Sequence, residues 1–310
     1  MSMILRIGTG LALALAFPAA APAQQQSAAP APAPAPAPVQ QSESDPALWV
    51  VKDADTTIYL FGTIHVLKPG LSWFDDAVRT AFDASDEVVL EMVTPDDAAM
   101  QKLILATAVN ASGPSLPDKL PADKRETYVQ ALRGVDLPAN AFDRVDPWFA
   151  ATNLSLLPLM KLGYNPAEGV EMKFTAAAKA GGKPITGLET AEEQIGILDG
   201  LPEPAQIGML LSTIDQLDET QTMIENMVGA WSAGDPDRLA AVMNEGMRDT
   251  PEVSKALLAD RNARWATWIE QRMRQPGTVF VAVGAGHLAG ADSVQTMLAA
   301  RQIAVERIAY

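Results

Sequence analysis

A continuous apolar run near the carboxyl terminus places the strongest constraint on the fold. Residues 277–283 have the sequence Gly-Thr-Val-Phe-Val-Ala-Val, without the polar alternation of a strand that has one solvated face. Such a run predicts a strand buried on both faces. It is followed by the turn Gly-Ala-Gly-His at 284–287, a helical pattern to Arg301 and a last strand at 303–308. This order predicts a βαβ unit and therefore parallel strands in a central sheet.

The rest of the folded part combines short strands with long helical stretches. Residues 48–52 and 57–61 are rich in β-branched and aromatic side chains, and the turn residues between them predict a β-hairpin. The remaining segments are a helix over 71–84 with Ser72 as its N-cap, strands over 87–91 and 183–189, and helical stretches over 96–180 and 191–274. These patterns predict an α/β (α+β) fold with a central mixed β-sheet, flanked by helices and carrying a large helical insertion.

The first 45 residues predict export. Residues 1–23 have a basic start at Arg6, a short apolar core and an Ala-Pro-Ala cleavage site, as a secretory signal peptide does. Residues 24–45 are rich in Gln, Ala and Pro and predict an extended linker without a core. The folded domain then covers residues 46–310, with no later segment apolar enough to span a membrane. We therefore expect a periplasmic or secreted protein; an uncleaved membrane anchor is the alternative.

Composition argues against several classes of function. The chain has 38 acidic and 23 basic residues, and its net charge of -15 disfavours a nucleic-acid partner. It has no cysteine, which excludes disulfides, thiolate metal sites and cysteine nucleophiles. A Gly-x-Ser-x-Gly motif is also missing from the sequence, so serine hydrolysis on an α/β-hydrolase fold has no support.

Two histidines, His65 and His287, occupy similar positions. Each follows a predicted strand and lies three residues after a glycine, Gly62 or Gly284. In α/β sheets, ligands bind beyond the carboxyl ends of the strands, where glycine permits close approach. An imidazole at such a place can ligate a metal or transfer a proton near neutral pH. The alternative interpretation is two unrelated structural histidines.

Two carboxylates end predicted strands in the same way. Glu91 closes the apolar strand at 87–91, and together with His65 and His287 it completes a set of two imidazoles and one carboxylate. Three protein ligands of this kind leave an open metal position for water. Glu189 ends the strand at 183–189; alternatively it is an acid at a helix N-terminus, facing the helix dipole.

Five segments carry a resemblance to a known family. They are 59–66 with His65, 88–91 with Glu91, 187–190 with Glu189, Arg261-Asn262, and 283–288 with His287. In sequence and order they resemble the TraB/GumN family, which is similar to the Tiki metalloproteases and more distantly to erythromycin-esterase-like hydrolases and a haem-binding lipoprotein. The resemblance covers residues 48–308 and implies a Tiki/erythromycin-esterase-like fold. It also implies a hydrolase-type site built from both Gly-x-x-His motifs and the glutamate, with a divalent metal in the Tiki branch.

Arg261 and Asn262 match a motif near the Tiki-like active site, although read alone they would belong to a solvated helix face. We favour a metal-dependent hydrolase, a metalloprotease or peptidase, in which His65, Glu91 and His287 hold one Mn, Co or Zn ion that activates water.

The remaining chemistry falls to other side chains. With no further histidine in the chain, the general base must be a carboxylate, either Glu189 or Glu171. Arg261 would stabilise the oxyanion or hold a substrate carboxylate.

Two other functions stay open. One is metal-independent hydrolysis of an ester or a similar bond, with His65 and a carboxylate as base and acid. The other is a periplasmic protein that binds haem or another small ligand without turnover, with His65 or His287 as the axial ligand. We expect a peptide or small-molecule substrate for the hydrolases; the sequence identifies neither the substrate nor the oligomeric state.

Overall fold

The computed structural model describes residues 42–310. The predicted signal peptide, 1–23, and the predicted linker as far as residue 41 lie outside the described residues. The last four linker residues already contact the domain: β1 (Ser42–Glu43) pairs in parallel with β4 (Leu71–Ser72), and the Asp45 backbone N–H donates to the Ser232 carbonyl at 2.9 Å. These contacts begin four residues before the predicted boundary at 46.

A mixed sheet forms the centre of the described region, as predicted. Its strands are β2 (Leu48–Lys52), β3 (Thr56–Thr63), β5 (Glu87–Met92), β6 (Ile185–Glu189), β7 (Gly277–Gly284) and β8 (Glu306–Ile308). Their order across the sheet is β6-β5-β7-β3-β2-β8. The four strands β6, β5, β7 and β3 are parallel, whereas β2 is antiparallel to both of its neighbours and forms the predicted hairpin with β3.

Helices surround the sheet and form two insertions. Between β4 and β5 lies α1 (Asp76–Ala84). Between β5 and β6 lie α2 (Asp97–Thr107), α3 (Leu116–Lys119), α4 (Arg125–Gly134), α5 (Pro147–Lys161) and α6 (Val170–Ala180). Between β6 and β7 lie α7 (Ala191–Asp199), α8 (Glu203–Asp215), α9 (Thr220–Ser232), α10 (Pro236–Gly246), α11 (Pro251–Ser254), a π-helical turn (Lys255–Ala259) and α12 (Asp260–Arg272). A 3₁₀ turn (Ala285–Leu288) and α13 (Val294–Ala299) connect β7 to β8. Among residues 42–310, no helix has the length and hydropathy needed to cross a membrane.

The helix predicted over 71–84 and the strand predicted over 303–308 both begin later than the sequence prediction. The helix predicted over 71–84 begins at Asp76, because Leu71–Ser72 are held in β4 by pairing with β1. Ser72 is therefore not its N-cap; its hydroxyl donates to Asp75, the residue at the N-cap position, at 2.6 Å. The last strand is also shorter than 303–308, because Gln302 has a φ of 63° and the Ile303 N–H donates back to the Leu298 carbonyl at the end of α13.

Both faces of the sheet are covered, as the apolar run at 277–283 predicted. Alternate residues of β7 point to opposite faces. Phe280 packs on one face with Phe61, Phe174 and Trp231. Val281 packs on the other face, in a cluster that includes Trp265 of α12. A third cluster combines residues of α2 to α5 from the first insertion with residues of α7 and α8 from the second, so the two insertions share a core.

Candidate functional site

The carboxyl ends of the four parallel strands bring four of the predicted site residues to one edge of the sheet. His65 lies two residues after the end of β3, and His287 lies three residues after the end of β7. Glu91 is the penultimate residue of β5, and Glu189 is the last residue of β6. Because parallel strands end at the same edge, the topology alone places these side chains near one another.

Two helices supply the other three predicted residues. Glu171 lies in the first turn of α6, and Arg261 and Asn262 lie in the first turn of α12. Arg261 and Asn262 are buried, only 5% and 1% exposed, so they do not form a solvated helix face. The structure thus brings all seven predicted site residues together, although it does not test the roles assigned to them.

The glycine of each Gly-x-x-His motif lies so close to neighbouring site residues that a side chain would not fit. A Cβ atom on Gly62 would lie 2.9 Å from the Cα atom of Ala285, in the second motif. A Cβ atom on Gly284 would lie 2.9 Å from Oε1 of Glu91 and 3.2 Å from Nε2 of His65. The two distances of 2.9 Å are shorter than Cβ atoms normally allow, so the two motifs approach each other only because these positions lack a side chain.

His65 is paired with a carboxylate. Its Nδ1 atom makes a short hydrogen bond to Oε1 of Glu171, and the Thr63 hydroxyl donates to the same oxygen at 2.5 Å. Burial lowers the pKa of His65, but the charge and the hydrogen bond of Glu171 raise it more strongly, to about 9. At neutral pH this side chain, which is 28% exposed, is therefore an imidazolium with its Nε2 atom directed toward Gly284.

His287 is paired with an amide and a cation. Its Nδ1 atom lies 2.6 Å from Oδ1 of Asn262, which only accepts, so Nδ1 carries the proton. Its Nε2 atom accepts from Nη1 of Arg261 at 3.1 Å. Burial lowers the pKa of His287, and the charge of Arg261 lowers it further against the opposing effect of Glu91, to about 3. His287 is therefore neutral at neutral pH.

Glu91 connects the two histidines. Its Oε1 atom accepts from the Gly284 backbone N–H at 2.6 Å and lies 3.6 Å from Nε2 of His287. Its Oε2 atom accepts from Arg261 at 2.6 Å and from the amide of Gln194 at 3.1 Å. Burial raises the pKa of Glu91, but the charge and hydrogen bond of Arg261, together with the charge of His65, hold that pKa well below its usual range.

Glu189 contacts two guanidinium groups. It accepts from Arg261 Nε at 3.0 Å and from Arg264 Nη2 at 2.9 Å, and the Gln194 amide lies 3.3 Å away. The N-terminus of the following helix, α7, is capped by Thr190 and Glu193 instead. These contacts hold Glu189 against the two arginines, whereas Glu171 contacts His65 and Thr63.

The seven predicted residues form a cluster with three others that the sequence did not indicate: Thr63, Gln194 and Arg264. These three contact Glu171, Glu91 and Glu189, respectively. Thr63 lies inside the first Gly-x-x-His motif, and Arg264 lies one helical turn after Arg261. Both positions could have been found from spacing alone. Gln194 has no such signal, because an isolated glutamine in a helix is ordinarily exposed.

The contacts of Glu91 and His287 bear directly on the predicted metal site. Among residues 42–310, no group of three or more acidic or histidine side chains is arranged to hold a metal ion. The physical reason is that the Arg261 guanidinium lies against both Glu91 and His287, on the atoms that would bind the ion. In this arrangement the donor set does not fit a divalent ion, and the metal site stays a prediction.

A cleft of about 370 Å³ borders the cluster on the side of Asn262. Its lining includes Gly286 from the His287 turn and two cationic side chains, Arg248 and Lys255. The cleft therefore reaches the amide partner of His287, whereas His287 itself is 4% exposed.

Comparison with known proteins identifies the family. The chain is 23% identical over 258 residues to the uncharacterized protein YbaP of Escherichia coli (strain K12), covering 82% of this chain and 92% of that protein. It is also 23% identical over 283 residues to an uncharacterized protein of Treponema pallidum (strain Nichols), covering 84% of this chain and 82% of that protein. No solved structure matches the chain. The family profile described as TraB/PrgY/gumN matches residues 47–307, and the chain belongs to this family.

Proposed function

We propose that this chain is a hydrolase in which the His65–Glu171 pair activates the attacking water. The observation that carries the proposal is the placement of His65. It is the partly exposed member of a buried charged cluster, with Nδ1 fixed by a carboxylate and Nε2 left for proton transfer. A histidine oriented in this way by a carboxylate is the usual arrangement of a general base.

The proposed reaction uses two side chains of the site, His65 and Glu171. Neutral His65 removes a proton from water through Nε2 while the water oxygen attacks the substrate carbonyl, and the same proton then passes to the leaving group. Glu171 holds the ring and stabilises the imidazolium that forms. Arg261 takes no part in this reaction, because its nitrogens already donate to Glu189, Glu91, His287 and the Leu257 carbonyl. Since the pKa of His65 is about 9, the fraction of active base and therefore the rate should rise from pH 7 toward pH 9.

The second candidate is the metal-dependent hydrolase that the family resemblance implies, with His65, Glu91 and His287 as ligands of Mn, Co or Zn. One observation favours it. Both histidines have Nδ1 bound to a buried oxygen, of Glu171 or Asn262, which is how metal-binding histidines are commonly oriented. The Arg261 guanidinium argues against this candidate, because it lies between two of the expected ligands, Glu91 and His287.

Haem binding receives less support. An axial histidine needs an imidazole that faces an apolar cleft, whereas His65 faces a carboxylate and His287 accepts from a guanidinium. On the basis of residues 1–23 we propose that the protein acts after export, in the periplasm or outside the cell, on a peptide or a small-molecule substrate.

The test is a hydrolysis screen of the purified chain with chromogenic peptides and esters, with and without a chelator. We expect His65→Gln and Glu171→Gln to lower kcat/KM by about 10²- to 10⁴-fold. Glu168→Gln is the matched control, since Glu168 lies three residues from Glu171 and contacts only Lys173.

Three outcomes would contradict the proposal. Full activity in His65→Gln would remove the base. Loss of activity with a chelator and its recovery with Mn, Co or Zn would favour the second candidate. Binding of haem with a Soret band, without hydrolysis of any substrate, would favour a ligand-binding protein.

A further inference from the structure

We infer that Arg261 is the resident cation of this site and occupies the place at which the sequence predicts a divalent ion. The inference concerns the same cluster as the proposed hydrolase. It does not require turnover, because metal binding is measurable without a substrate.

Arg261 uses every nitrogen of its guanidinium in this site. Nε donates to Glu189, and Nη2 donates to Glu91 at 2.6 Å and forms an ion pair with Glu189 at 2.8 Å. Nη1 donates to Nε2 of His287 and, at 3.2 Å, to the Leu257 carbonyl in the π-helical turn. Each of the three guanidinium nitrogens therefore donates at least one hydrogen bond, and the side chain is 6% exposed. The group is thus fixed on all sides.

The atoms bound by Arg261 are those that a metal would need. A divalent ion coordinates through lone pairs of carboxylate oxygens and of neutral imidazole nitrogens. Oε2 of Glu91 and Nε2 of His287 direct these lone pairs at the guanidinium, and Oε1 of Glu91 accepts from the Gly284 N–H. Neither residue can bind an ion with these lone pairs unless Arg261 moves away.

The two carboxylates and the two guanidinium groups at the centre of the site already balance each other in charge. Glu91 and Glu189 carry two negative charges, and Arg261 and Arg264 carry two positive charges. Adding a divalent ion would leave two uncompensated positive charges next to buried groups, which is costly. The ring of Trp265, whose face lies 4.5 Å from the guanidinium carbon, further matches a resident cation.

The experiment measures bound metal in the purified chain after incubation with Mn, Co or Zn and removal of the excess. We expect wild type to retain metal at background only. Arg261→Ala frees Glu91 and His287, so we expect it to retain close to one ion per chain. The double variant Arg261→Ala/His287→Ala should lose that ion. Arg264→Ala is the matched control, since Arg264 contacts Glu189 but neither expected ligand, and it should gain no metal.

Arg261→Gln gives a second readout if the alanine variant does not fold. It keeps a side chain that hydrogen-bonds but removes the charge, and added Co or Zn should raise its thermal unfolding midpoint while leaving that of wild type unchanged. Stoichiometric metal in wild type that disappears in His287→Ala would overturn the inference. A folded Arg261→Ala variant that gains no metal would also overturn it. Neither outcome depends on whether the chain hydrolyses any substrate.

Discussion

The two Gly-x-x-His motifs occupy equivalent places in the sheet, yet their histidines are in opposite states. Each histidine follows a parallel strand, and the strands, β3 and β7, are neighbours. His65 is partly exposed and its pKa is about 9, whereas His287 is buried and its pKa is about 3. The motif thus fixes where an imidazole lies but not whether it carries a proton.

The difference comes from partners that lie elsewhere in the chain. His65 meets a carboxylate, Glu171, 106 residues away in the sequence. His287 meets an amide and a guanidinium, from Asn262 and Arg261, 25 and 26 residues away. Pairs of titratable groups whose pKa values are pushed apart are typical of acid–base sites. At neutral pH this site therefore holds one charged imidazole and one neutral imidazole.

The largest expected effect on stability comes from replacing Glu91, the carboxylate that lies between the two histidines. Glu91→Gln removes one of the two buried carboxylates that pair with Arg261, and it places an amide where Gly284 donates. We expect a loss of about 3–5 kcal/mol in the free energy of unfolding, because Glu189 alone then compensates the buried guanidinium. Denaturant unfolding measures it. The control is Glu87→Gln in the same strand, whose pair with Arg272 is partly exposed and should contribute at most about 1 kcal/mol. Equal losses of unfolding free energy in the two variants would show that the buried contacts of Glu91 contribute no more than a partly exposed ion pair.

The second prediction uses the pH dependence of stability to distinguish the contributions of His65 and His287. The pKa of His65 is raised from 6.5 to about 9, so the stability it contributes is complete below pH 6.5 and is lost as the pH rises through 9. The pKa of His287 is lowered to about 3, so its contribution is present above pH 6.5 and is lost as the pH falls. Stability should therefore be greatest near pH 6.5, with an alkaline loss on the order of 3 kcal/mol.

Glu171→Gln tests this assignment. It should remove the alkaline loss and leave the acidic limb in place. Because the sequence contains two histidines, their NMR titration gives two signals, and the variant should move only the higher pKa toward 6.5. Parallel stability curves for wild type and Glu171→Gln between pH 6.5 and pH 9 would refute it.

Local sequence patterns predicted where the strands lie in the chain and which way they run. They did not predict which strands are neighbours in the sheet. The run at 277–283 correctly predicted a strand buried on both faces and a parallel βαβ connection to β8. It could not predict that β3 and β2 lie between β7 and β8, because that depends on pairing with residues more than 200 positions away. The helix start near Ser72 was wrong for the same reason: a strand from residues 42–43 holds the segment extended.

For the site, sequence located the residues better than it described their contacts. Strand ends and glycine spacing indicated His65, Glu91 and His287, because those positions follow from the topology of a parallel sheet. Their electrostatics depend on helices from both insertions, which no local pattern specifies. The sequence could therefore suggest a metal held by three ligands, but it could not indicate that Arg261 lies between two of them.

The smallest effect is expected where the two motifs touch, and it separates packing from chemistry. Gly62→Ala places a Cβ atom 2.9 Å from backbone of the second motif, which cannot turn away. We expect a cost of about 1–3 kcal/mol in stability, from overpacking, with the pKa of His65 unchanged. Gly284→Ala instead pushes against the side chains of Glu91 and His65, which can shift. It should cost less stability but move the titration of His65, because it alters the distance between these two groups. Thermal unfolding together with histidine NMR measures both quantities, and identical behaviour of the two alanine variants would mean that the two glycines have a single, purely steric role.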